Sequence, residues 1–113
     1  MGTDSSTTIG ELRELVDDFV QERSWGRFHS PKNLAMSIAI EAAEIMELFQ
    51  WGPGDNSEVS GPLDGSAELA DELADVLIYC LAMANRAGVD LSGAVRAKMA
   101  RNTGRYPIGS GPG

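Results

Sequence analysis

Several residue types are scarce in this chain, and each scarcity removes a class of function. Among 113 residues there is one cysteine, one histidine and only 6% aromatic residues. Cys80 alone cannot close an internal disulfide. It stands inside V-L-I-Y-C-L-A-M, where free cysteine behaves as a small buried hydrophobe, so a reducing compartment, the cytoplasm, is expected. His29 alone excludes a zinc or di-iron centre built from several histidines, so any metal here is held by oxygen. No stretch approaches the roughly 18 uninterrupted apolar residues of a membrane span. The N-terminal M-G-T-D-S-S-T-T also lacks the basic and then apolar segments of a secretion signal. Basic residues are few, 9 Lys+Arg against 17 Asp+Glu, for a net charge of −8. Nucleic-acid backbones and anionic membranes attract the opposite sign, so neither is expected as a partner. A phosphate ligand would need a cation to mediate. Alternation of period two is also missing, which argues against a sheet.

What remains is 42% hydrophobic and 23% charged, the balance of one folded domain. A chain this short builds a thin core, so an oligomer that buries more surface is expected. The polar residues 1–8 and the P-I-G-S-G-P-G of residues 107–113 read as flexible tails around a domain at 9–106. Thr8, followed three residues later by Glu11, predicts a helix from about Ile9 to Arg23 or Ser24, with Leu12, Leu15, Val16, Phe19 and Val20 on one face. W-G-R-F-H-S-P then turns the chain, and Ser30 before Pro31 starts a second helix running to about Gln50. Glycines and prolines from Gly52 to Gly65 mark a long loop, a candidate lid. A third helix starts at Ser66 or Asp64 and stops at Gly88; Asp90 caps a short fourth, from Leu91 to Asn102. The fold class is all-α.

Helical geometry places two acids where solvated acids do not belong. At 100° per residue, with Glu41 at zero, Leu34, Ile38, Ile45 and Leu48 all fall within about 60° of it, and Glu44 lies about 60° to the other side. The opposite face carries Met36, Ala39, Ala43 and Met46, so this helix should be buried on both sides, one of them against another subunit. The third helix repeats the device with Glu72 and Asp75, Glu68 one turn before them and Tyr79 one turn after. Buried carboxylates cost several kcal/mol unless paired or metal-bound. Neither E-A-A-E nor E-L-A-D contains a basic residue. The natural counterion is therefore a hard divalent cation, Mg²⁺, shared with substrate phosphates. The competing view, that all four are ordinary exposed helix acids, fits one such pair better than two.

These residues resemble the all-α nucleotide pyrophosphohydrolases of the MazG-like superfamily. The signature is an E-x-x-E pair followed by an E-x-x-D pair, here Glu41/Glu44 and Glu72/Asp75 with 27 residues between. F-V-Q-E-R-S-W-G-R-F-H-S-P-K-N-L, E-A-A-E-I-M-E-L-F-Q-W, E-L-A-D-V-L-I-Y and K-M-A-R-N-T-G-R-Y-P resemble successive blocks of its single-domain branch, over roughly residues 10–107.

The resemblance implies a four-helix protomer whose bundles are completed by oligomerisation as a homodimer or homotetramer. It also implies Mg²⁺-dependent hydrolysis of a nucleoside triphosphate to the monophosphate and pyrophosphate, with deoxycytidine triphosphate or a modified analogue favoured, in nucleotide-pool house-cleaning. Other canonical or damaged triphosphates are the alternative substrates, and a non-catalytic acidic helical module is the alternative class. Carried over by motif, Glu41, Glu44, Glu72 and Asp75 bind the metal, and one glutamate of the first pair serves as the base for water. Lys98, Arg101, Asn102, Arg105 and Tyr106 match the block that meets the polyphosphate, although Arg101 and Arg105 also suit the end of a helix dipole. Trp25, His29 and Trp51 match positions lining a nucleoside pocket, where indole faces stack on bases. Both tryptophans equally fit packing anchors at helix ends. Tyr79 fits either a contact to sugar or phosphate or a core position with its hydroxyl satisfied.

Overall fold

The computed structural model describes residues 2–51 and 66–111. Four α-helices and one short 3-10 turn follow in the order α1 (Ile9–Glu22), the 3-10 turn (Trp25–Phe28), α2 (Pro31–Phe49), α3 (Ser66–Ala87) and α4 (Leu91–Arg105), with no strand among the described residues. The candidate lid at 52–65 lies outside them.

Local signals set the helix ends. The Thr8 hydroxyl accepts from the backbone N–H of Glu11 at 3.0 Å and donates to its carboxylate at 3.3 Å, satisfying one of the unpaired N–H groups that open a helix. Ser30 accepts from the N–H of Asn33 with Pro31 in the first helical position, and Asp90 accepts from Gly93. Gly88 takes a φ of +69° and lets the N–H of Val89 reach back to the carbonyl of Ala84, a glycine-terminated helix end.

Three details depart from the sequence reading. Residues 3–7 are turned back on themselves by hydrogen bonds from Ser6 and Thr7 to the carbonyl of Thr3, so this part of the N-terminal segment has local order. W-G-R-F forms a turn of 3-10 helix, entered through Ser24 in the left-handed region at φ 54°. The fourth helix continues three residues past Asn102, because Thr103 bonds the Met99 carbonyl and no proline intervenes before Pro107.

Packing is centred on α3. Leu34 near the start of α2 meets Leu81 and Ala82 in the second half of α3, while Glu41 and Glu44 further along α2 meet Glu72 and Asp75 in its first half; the two helices therefore run antiparallel. α1 lies against α3 through Val16 and Val20. The Arg13 guanidinium donates to the side-chain oxygen of Asn85 at 3.0 Å, and the Asn85 amide donates back to the Arg13 carbonyl at 3.0 Å. The resulting core is small: Val16, Val20, Leu34, Leu81, Ala82 and Ala84 are its buried side chains. The helix-two prediction holds on one side only within the chain. Leu34 is 1% exposed, whereas Met36 and Met46 on the other face are 53% and 73% exposed. Helix α4 touches the core through Leu91 and is not packed along α2 or α3. The radius of gyration is accordingly 16.7 Å, against about 13 Å for a closed domain of this length. No described helix is long and apolar enough to cross a membrane.

Candidate active site

The antiparallel pairing of α2 and α3 turns two local spacings into one cluster. Residues three apart share a helix face, and across the α2/α3 seam Glu41, Glu44, Glu72 and Asp75 bring one carboxylate oxygen each within 4.8 Å of one another. No arginine or lysine balances them: among the described residues, the ion pair formed is Arg23 with Glu22, elsewhere on the surface. Glu41 and Glu72 each hold an Oε2 atom that is buried and has no hydrogen-bond partner.

The proton affinities reflect this crowding. The Glu72 carboxyl is pushed up from the ordinary 4.5 to about 7, first by proton sharing with Glu44, then by burial, then by the charges of Glu44, Asp75 and Glu41. Glu41 is also raised, by burial first and then by Glu44 and Asp75. Unpartnered buried oxygens, mutual repulsion and an all-oxygen donor set together fit a hard divalent cation, which takes carboxylates, carbonyls and water as ligands. Glu68, one turn earlier on α3, is outside the cluster.

Beside the acids lies a cleft of about 610 Å³, walled by Leu15, Val16, Phe19 and Val20 of α1, by Trp25 and His29, and by Asp75, Ile78, Tyr79 and Ala82 of α3. The chain forms this wall by a sharp turn. The left-handed Ser24 folds the 3-10 turn back so that the Trp25 ring meets Phe19 edge-on, with centroids 5.3 Å apart. Arg23 covers the Phe19 ring at 3.6 Å. Asn33 ties the turn to α2 by donating from its side chain to the Phe28 carbonyl at 3.0 Å. The cleft and the acidic cluster meet at Asp75, which belongs to both.

The structure therefore brings together Glu41, Glu44, Glu72, Asp75, Trp25, His29 and Tyr79. Trp51 stands apart at the end of α2, 88% exposed and outside the cleft. Lys98, Arg101, Asn102, Arg105 and Tyr106 lie on or just after α4, and none lines the cleft or joins the acidic cluster. Sequence reasoning missed the cleft walls Leu15, Val16, Phe19 and Val20 as site residues. Their helical spacing marks a packed face without indicating that part of it borders an opening.

Comparison with known proteins agrees with this architecture. Residues 36–112 match the MazG-like family. The chain is 44% identical to dCTP pyrophosphatase 1 of Bos taurus over 108 residues, which cover 92% of this chain and 62% of the relative. It is 43% identical to dCTP pyrophosphatase 1 of Homo sapiens over 102 residues, which cover 88% of this chain and 59% of that one. The chain thus spans about three fifths of the length of the curated relatives it matches. A crystal structure of a pyrophosphatase from Archaeoglobus fulgidus superimposes with a TM-score of 0.79 at 39% identity, covering 88% of this chain and 92% of the other.

Proposed function

The chain belongs to the MazG-like family, and from that premise we propose that it hydrolyses a (deoxy)nucleoside triphosphate to the monophosphate and pyrophosphate, with dCTP or a modified analogue preferred. The observation that carries this reading is the double membership of Asp75. An aromatic cleft sized for a nucleoside opens directly onto a carboxylate cluster suited to metal and phosphate, so one ligand can occupy both. The cleft takes the base: Trp25 offers a stacking face, and His29 and Tyr79 offer hydrogen-bonding groups at its wall. The curated dCTP pyrophosphatases are the source of the preference for cytosine.

Glu41, Glu44, Glu72 and Asp75 would hold the cation, Mg²⁺ being the hard divalent ion expected at an all-oxygen site. When bound, it neutralises the triphosphate and orients the α-phosphorus for attack. The remaining work falls to the chain itself. A carboxylate of the first pair accepts a proton from water as its oxygen bonds to the α-phosphorus, while the bond from that phosphorus to the bridging oxygen breaks and pyrophosphate leaves. The Glu41 carboxyl, whose proton affinity is raised by burial and by Glu44 and Asp75, suits this role of taking up a proton. Sixteen large apolar side chains on the described surface besides Trp51, Met36, Ile40, Leu73 and Leu77 among them, support self-association as a homodimer or homotetramer. The cytoplasm, where nucleotide pools lie and a lone thiol stays reduced, is the proposed location.

The test is pyrophosphate release from a panel of dNTPs and NTPs, with and without Mg²⁺, by the wild type and by Glu41→Gln and Asp75→Asn. Expected is Mg²⁺-dependent release, greatest for dCTP or a 5-substituted dCTP and abolished by both substitutions. Silence across the panel, or release that survives both substitutions, overturns the reading.

A further inference from the structure

Trp25 has the task of stacking on a base, yet the core does not hold it. It is 43% exposed, and Phe19, the ring it rests on, is 45% exposed. The backbone that delivers it is not in a preferred region either. Ser24 takes φ 54° with no side-chain hydrogen bond capping the turn, a conformation that costs energy for a residue with a Cβ.

Packing on the pocket side of the 3-10 turn does not fix it. Gly26 and His29 border a second pocket there, of about 180 Å³, closed opposite by Asp17, Gln21 and Arg86. A Cβ added at Gly26 would meet nothing within 4 Å. The far end of the turn is tied by the bond from Asn33 to the Phe28 carbonyl. The near end, where Trp25 stands, depends on Phe19.

Arg23 fixes Phe19. Its guanidinium carbon lies 3.6 Å from the centre of the Phe19 ring, and its Nη1 donates to the Phe19 carbonyl at 3.2 Å. The same nitrogen is 3.6 Å from the Glu22 carboxylate. One planar cation is thus clamped to both the ring and the backbone of a single residue, a combination of stacking and directed donation that an ammonium does not reproduce. Phe19 and Trp25 then meet at 75° with centroids 5.3 Å apart, an edge-to-face contact that depends on both rings keeping their angle.

We infer that Arg23 is a positioning residue for the base: it immobilises Phe19, and through Phe19 it sets the plane of Trp25. The indole then enters the stack with little freedom left to lose. This rests on the reading of the cleft as a nucleobase site. Arg23 acts here through two rings and not through its charge, which distinguishes it from a cation that attracts the triphosphate.

A double-mutant cycle tests it. Arg23→Ala should raise KM for dCTP by about 3- to 10-fold, less than a whole base stack is worth, and leave kcat within about twofold. In a Trp25→Ala chain the same change should add less than about 1.5-fold, because the ring it positions is gone. Arg23→Lys keeps the charge without the planar face, and its KM should fall between those of wild type and Arg23→Ala. Arg27→Ala removes an equal charge from the same turn, where Arg27 covers Phe28 at 4.7 Å, and should leave KM near wild type. A further readout needs no ligand. In a Trp51→Phe chain, whose remaining tryptophan is Trp25, Arg23→Ala should lower the residual nanosecond anisotropy of the indole emission. A KM that does not rise, a rise that multiplies in full on Trp25→Ala, or an equal rise from Arg27→Ala overturns the inference. Should the wild type release pyrophosphate from no triphosphate, the functional reading falls first; the anisotropy still decides whether Arg23 positions Trp25, and an unchanged value overturns it.

Discussion

Glu41 on α2 and Glu72 on α3 face each other across the helix seam, each with one buried carboxylate oxygen that no hydrogen bond satisfies. Such groups normally carry a partner. Their presence marks the point where folding and function compete, because charge held ready for a cation destabilises the chain without one.

The pH dependence of stability follows from this. Both carboxyls bind protons more tightly in the folded chain, Glu72 at about 7 against an ordinary 4.5. Between those values the folded state holds protons that the unfolded state releases, so stability present below the unfolded value is lost as pH rises through the folded one. In buffer free of divalent ions the melting temperature should fall from pH 5 to pH 8, and Mg²⁺ should restore more of it at pH 8 than at pH 5. A melting temperature that climbs over this range contradicts the assignment.

Replacing Glu72 with glutamine separates the two roles. Glu72→Gln removes a charge and adds a donor facing Glu44, so the ion-free chain should melt higher than wild type at pH 8 with a flatter pH slope. Mg²⁺ should shift it little, and pyrophosphate release should drop by about 100-fold or more. Retained release with a normal Mg²⁺ response would show that Glu72 is not a ligand.

Trp25 makes a sharper claim about recognition. Its ring is held edge-on to Phe19, itself covered by Arg23, so it is oriented before any ligand arrives. Loss of base stacking costs about 1–3 kcal/mol, roughly 5- to 150-fold in affinity. Trp25→Ala should therefore raise KM within that range and change kcat by less than about threefold, with Trp25→Phe intermediate. A loss confined to melting temperature would assign Trp25 to packing.

The Arg13–Asn85 pair joins α1 to α3 away from the acids. Removing one partner strands half-buried polar groups, so Asn85→Ala should cost about 1–3 kcal/mol in denaturant unfolding with an unchanged slope. Asn85→Asp keeps the acceptor for Arg13 and should cost less. KM and kcat at saturating Mg²⁺ should stay near wild type, which a role in the site would not permit.

Much of this was legible in the residues because the forces involved act over a few positions. Thr8, Ser30 and Asp90 announce helix starts, since each side chain satisfies an N–H two or three residues away; Gly88 announces a stop because it takes positive φ without a Cβ clash. The acidic pairs could be read the same way: a spacing of three places both acids on one face, and the apolar context of Glu41 makes the charge costly wherever the helix packs.

What the linear chain could not decide is which faces meet. The spacing of Leu15, Val16, Phe19 and Val20 is the same whether the face is sealed in a core or borders a cleft; the turn at Ser24, which brings Trp25 back onto Phe19, makes part of it a wall. The α4 residues were expected at the polyphosphate because they match a motif block, which carries no information on where the helix packs. Yet α4 leaves the bundle after Leu91. Helix ends and in-helix spacings are determined locally, over three or four residues. The pairing of α2 with α3, the opening beside Asp75 and the departure of α4 depend on contacts between residues tens of positions apart, which only the tertiary structure decides.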